Sequence, residues 1–208
     1  MSSQGEKKDK ALDVDMITVS LDESAGAVFL DRDGVLSVED GAFVTRPEDL
    51  RLLAGAAEAV AKLNAAGWKV VVFTNQSAVG RGLLTAETLD AIHDRLRQEL
   101  AAAGAALTAV YACIHHPTAG CDCRKPLPGM LLQAAREHNI DLAKSYAIGD
   151  SPRDIAAAHA AGCIPLLVLS GHTHTYDPAS FPNPQPMKVF PDLPTAVEWL
   201  TEADFNWI

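Results

Sequence analysis

Apolar residues in this chain fall into short solid runs separated by stretches of helical spacing. Ala27-Val28-Phe29-Leu30 is such a run, and residues 68–73, 107–114, 145–148 and 165–169 repeat the pattern. Runs of this length without alternation read as strands buried on both faces. Between them lie helical patterns at 54–66, 85–103, 128–139 and 154–161. Gly67 and Gly162 stand where helix ends are expected, Thr85 where an N-cap is, and Pro128 at a helix start. A proline-rich connection (Pro178, Pro182, Pro184, Pro186) leads to a last short strand and a closing helix, Leu193–Glu202. Strands alternating with helices predict a doubly wound, Rossmann-like α/β fold, a parallel sheet with helices on both faces. Residues 1–24 read as a flexible arm, with a short strand-like stretch at 16–19. Residues 25–208 read as one domain.

Composition narrows the partners. The 208 residues carry a formal net charge of -10, which disfavours nucleic acid and anionic lipid. An anionic substrate therefore requires a local cationic pocket or a metal. No apolar run approaches the roughly 20 residues of a membrane span, and the N-terminal 15 residues lack the apolar segment of a secretory signal. A cytoplasmic monomer acting on a small molecule is the expectation.

In a parallel sheet, ligands sit beyond the carboxyl ends of the strands. The first run ends in Asp31-Arg32-Asp33-Gly34, the second in Thr74-Asn75-Gln76-Ser77, the fourth in Gly149-Asp150-Ser151. Any one of these residues alone reads as a helix cap or turn. Three carboxylates ending successive strands on one rim read as a site, because clustered carboxylates repel unless a cation joins them. Hard oxygen ligands with room for water and phosphate suit Mg²⁺.

Cysteines mark a second site. Cys113, Cys121 and Cys123 crowd into one loop with His115. Two pairs of soft ligands, Cys-x-His and Cys-x-Cys, can close on one ion, and three thiolates with one imidazole describe a structural Zn²⁺ site. His116 is the rival of His115, whose spacing from Cys113 mirrors that of the second pair. His172 and His174 read as solvent-exposed, and Cys163 as an inert buried thiol.

Asp31-Arg32-Asp33-Gly34-Val35 resembles the first motif of the haloacid-dehalogenase-like (HAD) phosphatases. Thr74-Asn75 resembles the second, Lys125-Pro126 the third and Gly149-Asp150-Ser151-Pro152-Arg153-Asp154 the fourth, all in order. The resemblance implies a HAD-type fold and hydrolysis through an aspartyl phosphate. It implies Asp31 as nucleophile, Asp33 as acid and base, and Thr74 with Asn75 at the phosphoryl oxygens. Lys125 is implied as counter-charge, and Mg²⁺ on Asp31, the Asp33 carbonyl and Asp150. The zinc loop with Cys-x-Cys-Arg-Lys-Pro-x-Pro-Gly-Met is similar to that of the D-glycero-D-manno-heptose 1,7-bisphosphate 7-phosphatases, and also of the histidinol-phosphate phosphatases. It implies a sugar phosphate substrate and a recognition role for Arg124. No stretch is long enough for a separate cap domain, so an open site covered by loops is expected. A zinc-stabilised binding module without catalysis is the alternative of another class; the presence of Asp31, Asp33, Lys125 and Asp150 together weighs against it.

Overall fold

The structure, a computed structural model, describes residues 25–179 and 181–202. The arm, with the strand expected at 16–19, lies outside the described residues. Six strands form one all-parallel sheet: β1 (Ala27–Leu30), β2 (Lys69–Asn75), β3 (Ala109–Cys113), β4 (Tyr146–Gly149), β5 (Ile164–Val168) and β6 (Lys188–Phe190). Their order is β3-β2-β1-β4-β5-β6. The chain therefore reverses its direction of winding at β1, between β2 and β4. That crevice is where the topology opens a binding site.

Among the described residues six α-helices and two short 3-10 turns complete the fold: α1 (Ala56–Ala65), α2 (Ser77–Gly80), α3 (Ala86–Ala102), α4 (Gly129–His138), α5 (Pro152–Ala161) and α6 (Leu193–Glu202). Side chains alternate across each strand, which splits the core in two. Val28, Leu30, Val70, Val72 and Ile148 pack with Leu63, Ile92 and Val197, from α1, α3 and α6. Phe29, Val71, Phe73 and Ala147 pack on the other face with Met130, Leu131 and Ala158, from α4 and α5. Burying both faces is what makes the strand runs continuous rather than alternating.

The expected elements are present, with ends displaced by at most two residues. Two displacements have a clear cause. β2 runs past its apolar stretch to Asn75, because Thr74 and Asn75 pair with Ala112 and Cys113 of β3. α5 begins at Pro152, earlier than its apolar spacing predicts. Ser151 and Asp154 close a reciprocal capping box there, and proline at the first position needs no partner for a missing N–H. The four-residue α2 was not expected. No described helix is long and apolar enough to cross a membrane.

Candidate active site

Asp31 follows directly on β1, Thr74 and Asn75 end β2, and Asp150 follows β4. The neighbouring central strands thus deliver these residues to one rim. With Lys125, Arg124 and Asp33 they line one cavity of about 290 Å³.

Lys125 is 3% exposed and stands at the centre of the charge. Its Nζ pairs with Asp31 Oδ2 at 2.7 Å and Asp154 Oδ1 at 2.5 Å, and donates to the Phe73 carbonyl at 3.1 Å. Asn75 fixes its backbone, accepting from the Lys125 N–H at 3.1 Å and donating to the Lys125 carbonyl at 3.2 Å. The Lys125–Pro126 peptide is cis.

The carboxylates gathered within 4.8 Å of one another are those of Asp31, Asp150 and Asp154. Asp154 joins the site although sequence reasoning gave it no role there, placing it only at the start of the 154–161 helical pattern and within the fourth motif. The Asp33 side chain is turned to a different set of partners. Arg32 grips both its oxygens, through Nε at 2.9 Å and Nη2 at 2.8 Å. Gln76 Nε2 and Ser37 Oγ donate to it at 2.8 and 3.0 Å.

These settings move the titrations. Burial pushes Asp31 up to about 7 against the pull of Lys125, and burial with the nearby Asp31 charge pushes Asp150 up to about 8. Although burial opposes it, the Lys125 charge holds Asp154 below the usual carboxylate range, and the Arg32 guanidinium does the same for Asp33. Three clustered carboxylates share one ammonium, which pairs with Asp31 and Asp154, so the cluster keeps a negative excess. That excess, with all-oxygen donors, fits a hard divalent cation at Asp31 and Asp150.

Asp150 is held with little slack. The His172 N–H donates to its Oδ2 at 2.5 Å, and the Thr173 N–H to its carbonyl at 3.1 Å. A Cβ added at Gly34 or at Gly171 would overlap Asp150 Oδ2. The His172 side chain itself is exposed, as is that of His174.

The soft-ligand loop closes as its spacing predicts. Cys113 Sγ lies 3.6 Å from Cys121 Sγ and 3.7 Å from His115 Nδ1, and His115 Nδ1 lies 3.2 Å from Cys123 Sγ. Tetrahedral bonds of about 2.3 Å to sulfur and 2.0 Å to nitrogen place ligand atoms about 3.5–3.8 Å apart, so the donor set fits zinc. The His116 ring is engaged elsewhere, with Nδ1 2.8 Å from Thr118 Oγ1. Cys163 is apart from all of this, its thiol pushed up to about 12 by burial.

Sequence reasoning also missed Arg81 and Arg153, which line the cavity with Arg124. Arg81 is a lone arginine between two glycines and carries no signal, and Arg153 lies inside the fourth motif without a role assigned to it. Arg124 Nη1 is buried without a hydrogen-bond partner among the described residues.

An aspartate directly after β1 paired with a buried lysine, beside acidic residues that follow β4, matches the arrangement that the four motifs lead one to expect. A HAD-hydrolase-like family model matches residues 122–196. The D-glycero-beta-D-manno-heptose-1,7-bisphosphate 7-phosphatase of Bordetella bronchiseptica is 48% identical over 145 residues, 70% of this chain and 81% of that protein. The D-glycero-D-manno-heptose-1,7-bisphosphate 7-phosphatase of Thermosynechococcus vestitus is 42% identical over 84% of this chain and 94% of that protein. The crystal structure of the B. bronchiseptica D,D-heptose 1,7-bisphosphate phosphatase, complexed with magnesium and phosphate, superposes with a TM-score of 0.79 at 43% identity. It covers 84% of this chain and 97% of that one. The chain belongs to the D,D-heptose 1,7-bisphosphate phosphatase family of HAD-like phosphatases.

Proposed function

We propose that this protein removes the 7-phosphate from D-glycero-D-manno-heptose 1,7-bisphosphate. The observation that carries the reading is Asp31 against Lys125 at 2.7 Å on the rim of a cavity also lined by Arg81, Arg124 and Arg153. A chain of net charge -10 that gathers three arginines at one opening suits a substrate with two phosphates, one reacting and one recognised. The partnerless Nη1 of Arg124 is a donor in search of such an acceptor.

In this reading an Asp31 oxygen attacks phosphorus. The bond from phosphorus to the C7 oxygen breaks, and the departing oxygen takes a proton from Asp33. Water then attacks the aspartyl phosphate and gives its proton back to Asp33. The Asp31–phosphorus bond breaks, and inorganic phosphate leaves. Thr74 and the backbone beside it bind the phosphoryl oxygens, and Lys125 balances their charge. Asp31, Asp150 and the Asp33 carbonyl would hold Mg²⁺. When bound, it screens the anionic nucleophile from the anionic phosphate. Cys113, His115, Cys121 and Cys123 would hold Zn²⁺, which orders the loop leading into Arg124 and Lys125.

The test is a panel of phosphate esters assayed in Mg²⁺ with metal analysis of the same preparation. The heptose bisphosphate is expected to exceed the other esters in kcat/KM by about tenfold or more. Faster turnover of histidinol phosphate overturns the substrate assignment.

A further inference from the structure

Arg32 follows the nucleophile in sequence yet points away from it, into the protein, and is 1% exposed. Its Nε and Nη2 hold the two oxygens of Asp33, and Nη2 also donates to Gln76 Oε1 at 3.0 Å. Gln76 Nε2 completes the ring by donating to Asp33 Oδ2, and donates as well to Thr74 Oγ1 at 2.9 Å. With Ser37 on Oδ1, each Asp33 oxygen accepts two hydrogen bonds. Behind the guanidinium lies His93 of α3, 5% exposed. Burial, then the Arg32 charge, lowers its value to about 4, so it is neutral near pH 7.

We propose that Arg32 is the positioning residue for Asp33, and that Gln76 links this hold to the phosphoryl-binding hydroxyl of Thr74. The inference rests on the reading of Asp33 as acid and base.

A stabilising role alone does not account for the pair. Burying a guanidinium and a carboxylate gains little over apolar packing of similar volume. What an apolar residue cannot do is fix a carboxylate in two dimensions, as a planar fork does. The Asp33 side chain is 21% exposed while that of Arg32 is 1% exposed, so the clamp sits in the protein and its load faces the cavity. A proton donor must lie within hydrogen-bond reach of the departing oxygen, and the fork confines where that reach extends. The second link ties the two groups together. Thr74 Oγ1 accepts from Gln76 and keeps its own O–H free to donate to a phosphoryl oxygen. The same amide therefore fixes Asp33 and the hydroxyl that meets the phosphoryl group in one register.

The experiment compares kcat/KM for an alkyl phosphate, whose leaving oxygen needs a proton, with that for p-nitrophenyl phosphate, whose leaving phenolate does not. kcat/KM reports the steps through loss of the leaving group, so later hydrolysis of the aspartyl phosphate does not obscure it. Asp33→Asn sets the reference: the aryl-to-alkyl ratio rises. Arg32→Lys keeps the charge and loses the fork, and is expected to raise the same ratio by about tenfold or more. Gln76→Ala is expected to raise it by a smaller factor, and decides the matter should Arg32→Lys fail to fold. An unchanged ratio in the folded Arg32 and Gln76 variants, with Asp33→Asn raising it, overturns the positioning role and leaves the reaction intact. An unchanged ratio in Asp33→Asn itself overturns the acid–base reading, and this inference with it.

Discussion

Asn75 grips Lys125 by the backbone and leaves its side chain to the chemistry. The amide of Asn75 both donates to the Lys125 carbonyl and accepts from its N–H, at 3.2 and 3.1 Å. Two antiparallel bonds of this kind reproduce a rung of sheet pairing between β2 and a loop that has no strand. The lysine ammonium can then stand between Asp31 and Asp154 without its own stem being held by packing alone. Asn75→Ala is expected to lower kcat about 10–100-fold with the circular dichroism spectrum unchanged. Steady-state kinetics beside a melting curve checks it.

Asp31 contributes charge that the fold would be easier without, since burial raises its value to about 7. Asp31→Asn keeps the shape, removes the nucleophile and leaves Lys125 paired with Asp154. Hydrolysis is expected to fall by more than about 10⁴-fold while the protein stays folded. Measuring phosphate release and the melting temperature of the same variant distinguishes loss of the nucleophile from loss of structure.

The loop from Cys113 to Cys123 lies within two residues of Lys125 along the chain. Burial and the neighbouring thiols raise Cys123 above its ordinary value, a penalty that a divalent ion removes by taking the thiolate form. About one zinc per chain is expected by elemental analysis. Cys123→Ser is expected to lose it, to lower the melting temperature by about 5–10 °C and to reduce kcat through misplacement of Arg124 and Lys125. Retention of full activity in a zinc-free preparation contradicts this.

His93 gives the stability a pH signature. Its value is about 4 in the folded chain against 6.5 for the free side chain, so the unfolded chain binds the proton more readily. Stability is therefore complete above about 6.5 and declines as pH falls toward 4. Between pH 7.5 and 5.0 the loss from this residue is about 2 kcal/mol. His93→Gln is expected to flatten that part of the profile, read as the difference in urea midpoints at the two pH values. The carboxylates of the rim titrate in both proteins alike and cancel in the comparison.

Much of the site was legible because its residues end apolar runs. Asp31, Thr74, Asn75 and Asp150 each follow or close a strand, and a parallel sheet forces such ends to one rim. The soft-ligand pairs were legible from spacing alone. Asp154 was quoted in the fourth motif and placed at a helix start, but only the approach of Lys125 from a distant loop shows its second task. Arg32 and Gln76 were hidden likewise: they sit inside recognised motifs, but what they touch depends on β1 and β2 lying side by side. His93 reads as one more polar residue at a core position of α3, and only the packing of that helix behind β1 sets it near Arg32. Pairing by tertiary approach leaves no periodic trace in a chain.

Asp154 divides its two oxygens between separate employers. Oδ2 accepts from the Ser151 N–H and hydroxyl at 3.0 and 2.6 Å and so starts α5, while Oδ1 meets Lys125. A screen for thermal tolerance would score this position as scaffold, and a screen for turnover would score it as machinery. No single replacement relaxes one demand while honouring the other: an amide keeps an acceptor but forfeits the charge, and a longer acid keeps the charge but misses the helix start. Directed evolution of this protein toward new esters should therefore find position 154 closed, with variation admitted at the arginines around the opening.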